Sequence, residues 1–176
     1  TFEAAARHGN LNNMEWLLIY GCPMDKDTFR GAAQNGNIEI LKWLFEHGCP
    51  WDEDTFEASA RNGHLENMKW LKLKNCPWDE GIFEAAALHG NLDNMEWLLI
   101  NGCPWDEGTF REAAINGNLD NLIWLFHHGC PWDSSTYEAA ARNGKLNNLK
   151  WLKKNKCPLD EDTLDAAVAF ENIESI

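Results

Sequence analysis

No run of about 18 apolar residues occurs in the chain, which excludes a membrane-spanning helix. The first residues also lack the charged and apolar regions of a secretory signal. Positive charge is scarce: 15 Lys and Arg stand against 28 Asp and Glu, for a formal net charge of -13. That balance argues against duplex nucleic acid or an anionic membrane as the main partner, because both select basic surfaces. A catalytic constellation is missing as well. There is no phosphate-cradling glycine loop and no nucleophile elbow, and no cysteine pair stands two to four residues apart to begin a metal site. The expectation is a protein that is not an enzyme and has no catalytic, metal-binding or cofactor-binding residues. The histidines, His8, His47, His64, His89, His127 and His128, stand mostly at turns and helix ends where other stretches carry Asn, so they read as capping groups.

What the chain does have is a period. Rows of 27 residues start at Thr1, Thr28, Thr55, Ile82, Thr109 and Thr136 without insertion or deletion, and a partial seventh row starts at Thr163. One fixed period marks a stacked-repeat architecture, in which each unit buries its apolar face only on its neighbours. The expected domain is therefore a single array over residues 1–176. Neither end carries a polar capping unit, so the chain reads as a piece of a longer array.

Punctuation divides each row into two short helices. Asp25, Asp52, Asp79, Asp106, Asp133 and Asp160 stand where a carboxylate can accept from the free amides of a helix's first turn. Trp51 before Asp52 and Phe56 after it occupy the positions of a hydrophobic staple. Helix one runs through an Ala-rich stretch to Asn-Gly, where glycine can close it. Asn10, Asn37, Asn91 and Asn118 can cap helix two, with Asn13, Asn94 and Asn121 mimicking a capping box. Gly21, Gly48, Gly102 and Gly129 end helix two, and the Cys-Pro that follows cannot continue it.

This unit, Thr-Phe-Glu-Ala-Ala-Ala through Gly-Asn-Leu to Asn-Gly-Cys, resembles an ankyrin repeat in all six full rows. The period of 27 is shorter than the family's usual 33. The missing residues fall between Trp-Asp and Thr-Phe, where ankyrin repeats project a β-hairpin finger. The resemblance implies an all-α, ankyrin-type solenoid of stacked helix pairs with the finger reduced to a tight turn. It is similar to the short ankyrin-like arrays of amoeba-infecting giant DNA viruses and some protists, which implies a viral protein of the host cytoplasm or the virion.

The cysteines Cys22, Cys49, Cys76, Cys103, Cys130 and Cys157 recur once per row. Equivalent positions of packed helices lie roughly 8–10 Å apart, beyond the 7 Å or so that a disulfide spans. They are expected to be reduced, small and buried, in an intracellular protein. Two Trp ladders recur as well. Trp16, Trp43, Trp70, Trp97, Trp124 and Trp151 should pack between rows, while Trp51, Trp78, Trp105 and Trp132 stand beside acidic residues, unlike a basic platform for stacked bases.

Function is expected where the rows disagree. On helix two, positions 12, 15 and 19 of the row face away from the apolar arc and form a solvated back. On helix one, positions 3 and 7 share a face. Most rows carry charged or polar residues there, but Leu88 and Ile115 place two neighbouring apolar side chains on the surface that the resemblance makes concave. With Glu84, Arg111, Arg61 and Arg142 around them, they are the candidate partner-binding residues. The expected function is a non-catalytic scaffold or adaptor that binds a partner protein there. A structural spacer of a large assembly and a single-stranded nucleic-acid binder are the alternatives. A longer period underlies the short one: rows one and four, two and five, and three and six agree at roughly two thirds of positions, as duplication of an 81-residue block would give. The third row type replaces the helix-ending glycine by Asn75 and Lys156 and gathers lysines at the end of helix two.

Overall fold

The structure, a computed structural model, describes residues 1–159. The cap expected at Asp160 and the partial row from Thr163 lie outside the described residues. Among the described residues the chain forms twelve α-helices and no strand. These are α1 (Phe2–Arg7), α2 (Leu11–Ile19), α3 (Lys26–Asn35), α4 (Ile38–Glu46), α5 (Glu53–Arg61), α6 (Leu65–Leu73), α7 (Glu80–His89), α8 (Leu92–Ile100), α9 (Glu107–Asn116), α10 (Leu119–His127), α11 (Ser134–Asn143) and α12 (Leu146–Lys154). Each row supplies one helix pair, as the 27-residue punctuation predicts. No strand interrupts the connection from helix two to the next helix one, so the finger is reduced to a turn. The chain divides into two compact units, Thr1–Ile82 and Phe83 onward.

In the first unit α3 packs between α1 and α5. The backbones come close because the contact positions are small: Ala5, Ala6, Ala32, Ala33 and Ala60 are buried. A Cβ on Gly31 would stand 3.0 Å from the carbonyl oxygen of Glu3. The second unit repeats the arrangement with α9 against α11, through buried Ala113, Ala114, Ala140 and Ala141. Helix two shows the expected arc. Met14, Leu44, Leu71, Leu98, Leu125 and Leu152 are buried, whereas positions 12 and 15 are exposed in α2 and α8.

Caps explain the short helices, since none is long enough to persist on propensity alone. Thr28 N donates to Asp25 Oδ1 at 2.9 Å in a full capping box, and the Thr28 hydroxyl donates to the same oxygen at 2.8 Å, holding the Asp25 carboxyl below its ordinary range. Asp106 accepts from Thr109 N at 3.3 Å and Asp133 from Ser135 N at 2.9 Å. Asp52 departs from the expectation. It makes no side-chain cap, because its carboxylate turns to Lys26 Nζ at 3.0 Å. Asn10, Asn37, Asn91 and Asn118 cap helix two as predicted.

The Asn three residues further on forms no capping box. Asn94 and Asn121 are buried, as are Asn67 and Asn148. Asn148 Nδ2 instead donates to Gly117 O at 2.9 Å, one row back. Inter-row amide bonds recur at the end of helix one: Asn35 Nδ2 to Arg7 O at 3.1 Å, Asn116 Nδ2 to Leu88 O at 3.1 Å and Asn143 Nδ2 to Ile115 O at 2.8 Å. In the third row Asn62 folds back on Ala58 O, and His64 Nε2 takes over the link at 3.0 Å from Gln34 O.

Candidate interaction surface

Charge pairing decides what the helix-one face offers. Position 3 to position 7 pairs close within α1, α5 and α11: Glu3 with Arg7 at 2.7 Å, Glu57 with Arg61 at 2.6 Å, and Glu138 with Arg142 at 2.5 Å. These pairs are half-exposed to solvent, where an ion pair contributes little. In the second row Arg30 pairs instead with Asp27 at 2.7 Å and with Asp54 of α5 at 3.6 Å.

The fifth row differs. Arg111 stands 3.5 Å from Glu84 of the row before and 3.3 Å from Glu112. Glu84 has this room because position 108 is glycine; a Cβ there would collide with its carboxylate. Between α9 and α11 lies a groove of about 420 Å³ lined by Arg111, Ile115, Ser135, Glu138, Arg142 and Asn143. Ile115 is 43% exposed, so an apolar side chain stands open in a groove that Arg111 and Arg142 also line.

Among the predicted site residues the structure thus brings Arg111, Ile115 and Arg142 into one groove, and Arg111 ties Glu84 to it. Leu88 is half-buried and less available than predicted. Arg61 belongs to the first unit, paired with Glu57. Ser135, Glu138 and Asn143 line the groove without having been singled out; Glu138 stands at a position read as a solvated pair.

Other exposed apolar groups lie on helix two. Ile19, Leu73 and Ile100, all at position 19 of the row, are 75–80% exposed. The sequence places this position on the solvated back, and the signal that three rows keep an aliphatic residue there went unused. The Trp ladder is less buried than predicted. Trp43, Trp70, Trp97, Trp124 and Trp151 are half-buried and Trp16 is exposed. Trp51, expected to staple on Phe56, makes a ring contact with Phe29 at 5.1 Å, and Trp105 likewise packs on Phe83 at 5.1 Å. His47 and His128 stack on Trp43 and Trp124 at 3.9 and 4.1 Å. Each ring also hydrogen-bonds the tryptophan carbonyl, the helix-end role that Asn101 fills at 2.8 Å.

The cysteines are structural. Cys49, Cys76, Cys103, Cys130 and Cys157 are buried. The thiols of Cys49, Cys76, Cys130 and Cys157 donate to the backbone carbonyl of the Asp 24 residues earlier, at 3.3–3.6 Å. Burial pushes these four thiols up to about 12. Among the described residues no group of three His, Cys, Asp or Glu could hold a metal ion, and no helix is long and apolar enough to cross a membrane.

In sequence, no family model and no curated protein matches the chain. In structure, it is similar to the human ASB11 ankyrin repeat domain, with a TM-score of 0.68 and 17% identity over 88% of this chain and 82% of that one. It is also similar to a chain in the complex of the predatory endopeptidase Bd0816 from Bdellovibrio bacteriovorus with immunity protein Bd3460. There the TM-score is 0.63 and the identity 18%, over 87% of this chain and 96% of that one.

Proposed function

We propose that this chain, an ankyrin-repeat solenoid in fold, is a non-catalytic module that holds a partner protein on the helix-one face of its second unit. The observation that carries the reading is the groove between α9 and α11, which exposed Ile115 lines together with Arg111 and Arg142. An apolar anchor point rimmed by charged groups is the usual anatomy of an interaction hot spot. Both neighbours in structure support the class of function: one is an ankyrin repeat domain, and the other comes from a complex between two proteins. The partner is a protein of unassigned identity, engaged as a scaffold or adaptor would engage it.

The test is a capture experiment comparing the unaltered chain with an Ile115→Asp, Arg142→Glu variant. Both side chains are exposed, so circular dichroism should be unchanged. Partners retained by the unaltered chain should be weakened at least about tenfold, since truncating a hot spot costs about 2 kcal/mol or more. Retention of the same partners at the same affinity would move the binding surface elsewhere.

A further inference from the structure

The 81-residue duplication leaves two copies of one aromatic cluster, and only one of them is complete. In the first unit Phe45 meets Trp51 at 5.2 Å and Trp70 at 5.6 Å, and the two indoles meet at 5.9 Å. In the second unit the counterparts Phe126, Trp132 and Trp151 meet at 5.1, 5.5 and 6.0 Å with the same tilted and edge-on geometry. Phe45 and Phe126 are 40% and 37% exposed, so each cluster opens to solvent. No other full row places an aromatic residue at this position of helix two.

What occupies the opening differs. In the first unit the Lys74 ammonium sits 5.0 Å from the Phe45 ring centroid and 6.0 Å from that of Trp70. Those distances suit the attraction of a cation to the negative ring faces. The counterpart of Lys74 is Asn155. Its amide turns away to the Trp151 carbonyl at 2.8 Å and brings no charge to the rings.

We propose that the Phe126, Trp132 and Trp151 cluster is a receptor for a lysine side chain of a basic partner segment, which takes the place that Lys74 fills in cis in the first copy. The first copy is then a self-occupied site. The lysines of α12 are Lys150, Lys153 and Lys154. Lys74 is seated although Lys69 and Lys72 occupy the positions of the first two on α6, and Lys154, which stands where α6 has Leu73, is the one added charge on the helix that an incoming cation must meet. The net charge of -13 also favours the approach of a basic segment. This surface lies on helix two and is independent of the groove on helix one.

The test titrates the chain with hexalysine and follows indole N–H resonances by NMR. Trp151 and Trp132 should shift, while Trp51 and Trp70 should not. Asn155→Lys should weaken the Trp151 response about two- to fivefold, the factor expected of an exposed cation over a ring. The chain already carries lysine at this place after α6, so the fold should accept it. Asn147→Lys, with the same added charge on the exposed face of α12, should leave the response nearly unchanged. Lys74→Asn should open the first copy and make Trp70 respond. If Asn155→Lys and Asn147→Lys weaken binding alike, attraction is by net charge only and the proposal fails. It fails equally if Trp70 responds in the unaltered chain as readily as Trp151.

Discussion

A cysteine repeated at a fixed spacing invites a redox or metal reading, but Cys49, Cys76, Cys130 and Cys157 have a simpler role. Each fills a small buried site after helix two and donates to the backbone of the residue that opens helix one, so it ties the two ends of a helix pair together. Ionising such a thiol would strip a charge of water and set it near the negative carboxylate of the same Asp. That is why Cys49, Cys76, Cys130 and Cys157 rise from an ordinary 9.0 to about 12. Their linkage to folding has a definite sign. Below pH 9 the thiols are protonated in the folded and the unfolded chain, and their contribution is fully present. Between pH 9 and 12 the unfolded chain ionises while the folded chain does not, so stability falls with a slope of up to about 1.4 kcal/mol per pH unit for each thiol. Urea denaturation at pH 8, 9.5 and 10.5 should show this fall. It should be shallower in a Cys49→Ala, Cys130→Ala variant, and equal slopes in the two proteins would remove the thiols from the account.

Helix two depends on how it ends, because nine residues leave its last carbonyls without helical partners. After α4 the amide of Cys49 reaches back to Leu44 O at 3.0 Å and that of Gly48 to Phe45 O at 3.2 Å, the bond pair of a left-handed closing turn. The turn needs a positive φ, which Gly48 takes at 71°. The third row type keeps the turn without the glycine: Asn75 stands at 59° and Lys156 at 62°. Asparagine tolerates that region, whereas lysine crowds its Cβ against a carbonyl oxygen. Lys156→Gly is therefore expected to stabilise the chain by about 1 kcal/mol, and Asn75→Gly by less. A shift of the urea midpoint at unchanged slope would show it; a destabilised Lys156→Gly protein would mean that the side chain, not the backbone, holds the turn.

At the scale of the molecule, period and punctuation were enough to read the helix pairs, their caps and the reduced finger, because these rest on contacts within about ten residues. Bonds between rows were not legible. Nothing in Asn148 announces that it reaches Gly117 rather than its own helix, and nothing in Asp52 announces Lys26; both depend on where the neighbouring row lies. Of the candidate site, Ile115 was legible as a break in a repeated stripe and Arg111 and Arg142 as its charged rim, but the groove itself is made by α9 and α11 together. The 81-residue duplication, visible as sequence identity, becomes two matching aromatic clusters, the first of which carries the Lys74 ammonium over its rings, and their energetics can be compared directly. Stability in a repeat array is close to a sum of units and nearest-neighbour contacts, so a residue and its counterpart 81 positions on should cost the same when truncated, apart from local differences. Phe45→Ala should exceed Phe126→Ala by up to about 1 kcal/mol, the worth of the Lys74 ammonium over its rings at an exposed site. In a Lys74→Asn background the excess should vanish, because the two clusters then carry the same set of side chains. The unaltered chain, Phe45→Ala, Lys74→Asn and the double variant form a double-mutant cycle in urea denaturation, with Phe126→Ala in both backgrounds as the reference, and an excess that survives the loss of Lys74 would place its source in the packing of Phe45 rather than in the cation.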